Sequence, residues 1–211
     1  DAFIEALAAR GGFVDLNGEQ GRLLVGSSGT GTLAVSGGGV VDATLNPGAC
    51  AGNWCGNIVA NGAGATGTLT IDGLGSEVRT LRSFQAGNPY VDQYTGTPGD
   101  TATATIHITN GGKLLTGNTT LGTAPGGPDA LGTEKSFVDV LINGAGSQWI
   151  VTPSTVDSGS NAFMGVATHA NATADLTVSG GGLLRIDGRV GSAGPNDGIN
   201  LGSFGKATLT V

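Results

Sequence analysis

The chain has 211 residues, of which 41 are glycine, 7 are proline and 12% are charged, and its formal net charge at pH 7 is −7. This acidic balance repels phosphate backbones, so nucleic acid is not expected as a partner. Glycine at this level without a triplet period excludes collagen, and its combination with small and β-branched residues favours short strands joined by tight turns.

The first nine residues differ in pattern from the rest. They place apolar side chains, among them Phe3 and Leu7, at helical spacing, and Asp1 stands where an N-cap would. Two interpretations stay open, a helical cap over the first turn of the fold and a linker. We therefore expect an N-terminal cap or linker segment over 1–19 and a repeat domain over 20–211.

Neither a membrane span nor a signal peptide is expected in the sequence. No apolar run approaches the roughly 18 residues that cross a bilayer. The first ten residues lack the basic and apolar regions of a signal peptide. We expect a soluble segment that does not insert into a membrane and whose export signal lies upstream.

A pair of apolar residues two positions apart recurs at intervals of about 35 residues, and self-similarity of this period is typical of solenoids and propellers. The six pairs are Leu33 and Val35, Leu69 and Ile71, Ile106 and Ile108, Val140 and Ile142, Leu176 and Val178, and Leu209 and Val211. A propeller needs four antiparallel strands in a longer blade, so a solenoid is favoured.

Each repeat contains three short apolar runs. The first ends in a small residue, such as Gly26, Ala60 or Gly165; the second holds the recurring pair; the third follows a glycine turn. Equivalent positions should stack from turn to turn as ladders. The sequence thus predicts an all-β fold, a parallel β-helix (β-solenoid) of about six rungs of about 35 residues, with three short strands per rung.

The glycine turns after the recurring pairs alternate between two types. They read SGGG from Ser36, DGLGS from Asp72, TNGG from Thr109, NGAGS from Asn143 and SGGG from Ser179. Trp149 follows the second GxGS turn, whereas Val78 stands at the matching position after the first. Over about residues 20–211, this alternation resembles the passenger-associated repeat of bacterial autotransporters, which is shared with PEP-CTERM-associated proteins.

The resemblance implies a right-handed parallel β-helix on the surface of a Gram-negative bacterium, or released from it, after export through the periplasm. It also implies the role of an adhesin or a structural stalk. Expected partners are a glycan or protein of a host or neighbouring cell, with self-association as a further option. The family usually carries a translocating β-barrel further along the chain, and no barrel sequence is present here.

Two insertions, over residues 88–104 and 123–137, lengthen the path from the first strand to the second in the middle repeats. Insertions at one corner of a solenoid emerge side by side, and such faces commonly carry binding sites. We expect one acidic, partly aromatic patch for a ligand or partner, since tyrosine can stack on sugar rings and carboxylates accept their hydroxyls. The patch residues are Tyr90, Asp92, Tyr94, Asp129 and Glu134. The alternative is that the tyrosines only cover the edge of the solenoid.

We expect neither catalysis nor a bound cofactor or metal. The alternative function is a polysaccharide lyase or hydrolase, which needs carboxylates that converge on one rung. The candidate carboxylates Asp92, Asp139, Asp157 and Asp175 are expected to scatter. His107 is expected on an outward strand position and His169 in a loop, far from any cysteine.

An ice-binding solenoid is a third option, because Thr101, Thr103 and Thr105 alternate along one predicted strand. That run is not expected to repeat from rung to rung, so a flat lattice-matching face is not favoured.

The only cysteines, Cys50 and Cys55, lie in one glycine-rich turn, GACAGNWCGN. They can close a small disulfide ring worth roughly 2 kcal/mol through loop entropy, which would indicate an oxidising compartment. The alternative is a pair of free thiols.

We predict that Cys50 and Cys55 are bonded to each other. Mass spectrometry of the unreduced secreted protein after alkylation should show both residues unmodified and a mass two hydrogens below that of the dithiol. Two alkylated thiols in that sample would contradict the prediction.

Overall fold

A computed structural model describes residues 3–4, 6–10, 12–15, 23–27, 29–44, 57–80, 83–89, 101–122, 134–153, 162–188 and 198–211. These residues form three parallel sheets, and every strand pairs with its equivalent from the repeat before or after. The fold is therefore an all-β parallel solenoid whose turns lie about 35 residues apart, as predicted.

The strands follow one another around the solenoid in a fixed order, one from each sheet. The first sheet contains β1 (Phe3–Ile4), β4 (Leu24–Ser27), β7 (Asn57–Asn61), β10 (Phe84–Asn88), β13 (Thr119–Leu121), β16 (Phe163–Val166) and β19 (Gly198–Leu201). The second contains β2 (Ala6–Arg10), β5 (Thr30–Ser36), β8 (Thr66–Asp72), β11 (Thr101–Thr109), β14 (Lys135–Asn143), β17 (Ala172–Ser179) and β20 (Lys206–Thr210). The third contains β3 (Phe13–Asp15), β6 (Val40–Asp42), β9 (Glu77–Thr80), β12 (Lys113–Thr116), β15 (Gln148–Val151) and β18 (Leu183–Ile186).

The predicted number of six rungs is not confirmed. The body of the solenoid is about four turns long. Each of these turns has one strand in every sheet and is stacked between two other complete turns. These four turns begin at β4, β7, β10 and β13. Outside them the sheets continue in both directions, to β1, β2 and β3 on one side and to β19 and β20 on the other.

The helical interpretation of the first residues is wrong. Ala6–Arg10 form strand β2, which pairs in parallel with β5, and Phe13–Asp15 pair with β6. An amphipathic stretch of eight residues is too short to hold a helix by itself. The edge of β5 offers backbone hydrogen-bonding groups that a strand can satisfy.

The recurring pairs form two inward ladders, as predicted. In the second sheet Leu33 pairs with Leu69 and Leu69 with Ile106, and the register continues in the same way to β20. Members of both ladders are buried from β5 to β17. Leu209 is 36% exposed because β20 is the outermost strand of its sheet, and Val211, the predicted last member of the second ladder, follows β20 and is 94% exposed.

The corner after the first strand requires a small residue with positive φ. Gly26, Ala60, Gly87 and Gly122 all have φ between 61° and 72°. A Cβ atom on Gly26 would lie 2.2 Å from the carbonyl oxygen of Thr66, so the next turn packs directly on this corner. In the β16 repeat the equivalent residue is Ala167 with φ 53°, because Val166 pairs with Leu121, and not Gly165, which pairs with Thr120.

The alternation of the glycine turns has a physical cause. In each five-residue GxGS turn the serine is fully buried and connects two turns of the solenoid. Ser147 Oγ donates to the carbonyl oxygen of Asn143 (2.7 Å) and accepts from the backbone N–H of Gly111 in the preceding shorter turn (3.0 Å). Ser76 makes the same two bonds, to the carbonyl of Asp72 (2.7 Å) and from the N–H of Gly38 (3.1 Å).

The same GxGS turns also bind the turn that follows. The Asp72 carboxylate accepts hydrogen bonds from the side chains of Thr109 and Asn110, both at 2.7 Å, and these bonds hold the pKa of Asp72 below its ordinary value. The Asn143 side-chain oxygen accepts from Ser179 Oγ at 3.0 Å. Each GxGS turn is thus hydrogen-bonded to both of its neighbours.

Trp149 fills the interior beside this corner and is fully buried. Its indole N–H donates to Thr116 Oγ1 at 3.0 Å, and its ring meets that of Phe84 edge to face, with centroids 5.7 Å apart. Val78 and Leu114 occupy the matching positions of β9 and β12. The tryptophan of the NGAGSxW string is therefore a packing residue of the core.

We predict that Ser147→Ala lowers the free energy of unfolding by about 1–3 kcal/mol, because the buried N–H of Gly111 loses its acceptor. Urea denaturation of the purified chain measures this loss. Ser179→Ala, which removes an exposed hydroxyl in the following turn, is the matched control and should change stability by about 0.5 kcal/mol or less. Equal losses in the two variants would show that the buried serine does not link the turns.

Candidate functional site

Most of the predicted ligand patch and the predicted disulfide lie outside the described residues. This applies to Tyr90, Asp92, Tyr94, Asp129, Cys50 and Cys55, and also to the candidate carboxylate Asp157. Their predicted roles therefore stay predictions.

The strand ends of the two insertions lie side by side. Residues 101–104 belong to β11 and residues 135–137 to β14, and Thr101 pairs with Lys135 while Thr103 pairs with Phe137. The C-terminal part of both insertions is thus built into the second sheet.

Glu134 does not lie on an exposed acidic patch. It is fully buried, and its carboxylate acts electrostatically on His169, which is also buried. Burial lowers the pKa of His169 below its ordinary value, and the charge of Glu134 opposes that shift. Glu134 immediately precedes Lys135, the first residue of β14, and alternation along the strand then places Ser136 and Val138 inside as well. Its inward position therefore follows from the register of the strand.

The expectation that the candidate carboxylates scatter is wrong for two of them. Asp139 and Asp175 are direct neighbours on β14 and β17, and both are exposed. Each immediately precedes the first residue of a recurring pair, Val140 or Leu176, so both occupy the same phase of the repeat. His107 lies outward on β11 as predicted, and its Nε2 is 3.6 Å from Asp139 Oδ2.

Threonines repeat on the outer face of the second sheet, contrary to the expectation that their run is confined to one strand. Three consecutive strands, β5, β8 and β11, carry threonine at two matched outward positions. The two rows are Thr30, Thr66 and Thr103, and Thr32, Thr68 and Thr105. On β14 the rows are interrupted by Phe137 and Asp139. A charged and aromatic area thus replaces the threonine face in the next turns.

We name this area the β14 face and define it by five outward residues: Lys135, Phe137, Asp139, Asp175 and Lys206. Phe137 lies at its centre and is 43% exposed, although its row neighbours on β11 and β17 are threonines. Lys135 precedes it on the same strand, and Lys206 lies in its row two strands away. The sequence signal for this site is a phenylalanine at a position where neighbouring repeats have threonine. It can be recognised only when the repeats are aligned in the register of the sheet.

Chemically, the β14 face combines an apolar ring, two ammonium groups and two carboxylates on one surface. Such a set can hold a polar ligand with an apolar face by stacking and by charge-assisted hydrogen bonds.

Across the described ranges, no group of three or more His, Cys, Asp or Glu side chains is arranged to hold a metal ion. Within the same residues, no helix is long and apolar enough to cross a membrane.

Comparison of the chain with protein-family models, with curated protein sequences and with solved structures finds no match.

We predict that the chain loses stability when the pH falls below about 6.5, the ordinary pKa of histidine. His169 has a lowered pKa in the folded state. As the pH falls, the imidazole therefore binds a proton in the unfolded state before it does so in the folded state, and this stabilises the unfolded state. The loss continues until the pH reaches the folded pKa, with a slope of at most about 1.4 kcal/mol per pH unit for one proton.

Denaturant unfolding between pH 8 and pH 5 measures this slope, and His169→Asn should reduce it by the contribution of one proton. A wild-type slope that survives in the His169 variant would assign the effect to other groups.

Proposed function

We propose that this chain is an extracellular adhesive region of a surface-displayed or secreted Gram-negative protein, exported through the periplasm and built on a right-handed β-solenoid. The right-handed coil accords with the strong preference of parallel strand crossovers for that hand. The alternating GTLAVSGGG-type and IDGLGS-type strings, together with parallel sheets, support the relation to autotransporter passenger repeats.

The observation that carries this proposal is the separation of roles between the inside and the outside of the sheets. The interior is a set of uniform apolar ladders that need no ligand, whereas the outer positions of the second sheet change from threonine to charged and aromatic residues within one turn. A rigid support with a locally distinctive surface is suited to present a contact site away from the cell. The partner is a glycan or a protein of a host or neighbouring cell, and self-association is a further route to attachment.

The tyrosines and carboxylates of the two insertions are the proposed contact residues. A variant that combines Tyr90→Ser, Asp92→Asn, Tyr94→Ser and Asp129→Asn tests this role without changing chain length. Beads coated with the chain should adhere to bacterial, epithelial or plant cell-wall surfaces several-fold more than albumin-coated beads, and the variant should lose most of this excess.

Three results separate the options. Equal adhesion of chain-coated and albumin-coated beads would leave a structural stalk as the role and overturn the adhesive one. Undiminished adhesion of the variant would assign the contact to other residues. The melting temperature should be nearly the same in both proteins, since none of the four substituted residues belongs to the recurring pairs that form the apolar ladders.

A carbohydrate-active enzyme on the same fold is the second candidate, and the adjacency of Asp139 and Asp175 favours it. Paired carboxylates with a nearby imidazole are the groups that glycan hydrolysis or lyase chemistry uses. Incubation with polygalacturonate or alginate, followed by reducing-end and unsaturated-product assays, tests this candidate. Activity that disappears in Asp139→Asn and in Asp175→Asn would support it, and no product from either polymer would count against it.

A further inference from the structure

The β14 face breaks a regular row of small polar residues. In the row that crosses the second sheet, Phe137 has Thr103 on one side and Thr173 on the other. Threonine suits an exposed strand position because its branched side chain packs on the pleated surface. A phenylalanine that is 43% exposed at this position leaves part of an aromatic ring in water, apolar surface that a threonine would not expose.

A shallow groove lies on each side of Phe137. The larger has a volume of about 300 Å³ and is bordered by Lys135, Asn171, Thr173 and Lys206. The smaller has a volume of about 140 Å³ and is bordered by Thr103, Thr105, Asp139 and Asp175. Both grooves share the phenylalanine ring as a wall. The larger one is at the lower end of the range of small-molecule sites, about 300–1,000 Å³.

The charges around the ring are arranged at a cost to folding. Asp139 and Asp175 are directly opposite each other on neighbouring parallel strands, where like charges are destabilising. Lys135 and Lys206 are exposed, and within the described part of the chain neither forms a salt bridge with an acidic side chain. The positive charges therefore border one groove and the negative charges the other.

We infer that the β14 face is a binding site for a carboxylated sugar residue of an acidic glycan. The apolar face of the sugar ring lies against Phe137, and its carboxylate is bound between Lys135 and Lys206. The ring hydroxyls on the other side donate hydrogen bonds to Asp139 and Asp175.

Each contact matches the chemistry of the residue that makes it. An aromatic ring offers a large apolar surface to the C–H groups of a pyranose. Ammonium groups form charge-assisted hydrogen bonds with carboxylates, and ionised carboxylates are acceptors only, which suits hydroxyl donors. A purely anionic ligand would be repelled by the two aspartates, and a neutral sugar would leave the two lysines without a counter-charge. A ring that carries one carboxylate and several hydroxyls satisfies both grooves.

This inference rests on the proposed adhesive function, because it specifies the ligand class and the site. It differs from that proposal in assigning the contact to strand residues on the sheet surface, two of which, Lys135 and Phe137, end the second insertion.

Isothermal titration calorimetry with tetragalacturonate tests the site on the whole chain. Binding should weaken at least tenfold in Phe137→Thr, which continues the threonine row and keeps a residue of high strand propensity. Lys135→Gln and Lys206→Gln should each weaken binding several-fold and should remove the preference for tetragalacturonate over its methyl ester. Leu74→Thr, at another exposed apolar position, and Lys113→Gln, on the third sheet, are the matched controls and should bind like the wild type.

The source of the sugar is decided by a second titration with sialyllactose, in which the carboxylate belongs to a sialic acid. Binding of either probe with the expected variant pattern supports the site and names the source. Failure of the wild type to bind either probe, or affinity in Phe137→Thr within twofold of the wild type, overturns the inference. If chain-coated beads still adhere in that case, the proposed adhesive function stands without the sugar site. If the chain shows neither glycan binding nor bead adhesion, both proposals are overturned. Circular dichroism and the melting temperature of each variant establish that the fold is intact.

Discussion

Every part of this structure depends on the in-register stacking of one turn on the next. In a parallel solenoid each strand finds its hydrogen-bonding partners only in the neighbouring turns, so the three sheets exist only while the turns keep the same path. A corner that deviates by one residue would reverse the inward and outward positions of the strand that follows. The constraint is therefore strongest at the corners, where the path changes direction.

The two kinds of corner meet this constraint differently. After the first strand a single residue with positive φ turns the chain, and the next turn packs so closely on Gly26 that a side chain there has no room. After the second strand the backbone needs side-chain partners. Ser76 and Ser147 supply them through bonds to the preceding turn, and Asp72 and Asn143 do so for the turn that follows. Each short glycine turn closes with a backbone hydrogen bond of its own, such as that from the Gly112 N–H to the Thr109 carbonyl, and the GxGS turn provides side-chain hydrogen bonds that link it to its neighbours.

The interior of the fold could be predicted from the sequence because its signal is local and repeated. Alternation in the TGTLAVS and TGTLTID strings gives the strand, and recurrence gives the stacking partner, so Leu33 and Leu69 could be placed without any knowledge of the whole. The predictions that were wrong concern features that depend on competition between helix and strand, or on the register between turns. The first residues have a helical spacing that the edge of β5 overrides, and Gly165 has the right composition for the corner where Ala167 in fact stands.

The candidate site was hidden for the same reason. Asp139 and Asp175 are far apart in the chain and look unrelated until each is counted from the recurring pair that it precedes. Glu134 looks like an exposed acid in an insertion, but its phase relative to β14 directs it inward. Composition thus gave the residue types of a surface patch, and only the register between turns decided which of them share a surface.

The separation of inside from outside explains how such a fold can acquire a site at a small and local cost in stability. The inward ladders fix the path of the chain, so an outward residue can change without moving its neighbours. The replacement of threonine by Phe137 and Asp139 on β14 leaves Val138 and Val140 buried in the core. The cost of the change is confined to exposed apolar surface and to the repulsion between Asp139 and Asp175, and a ligand that covers the ring and donates hydrogen bonds to both carboxylates reduces each of these costs. A solenoid of this kind can therefore place a binding surface on any turn, because the neighbouring turns supply the rigidity that the site itself does not.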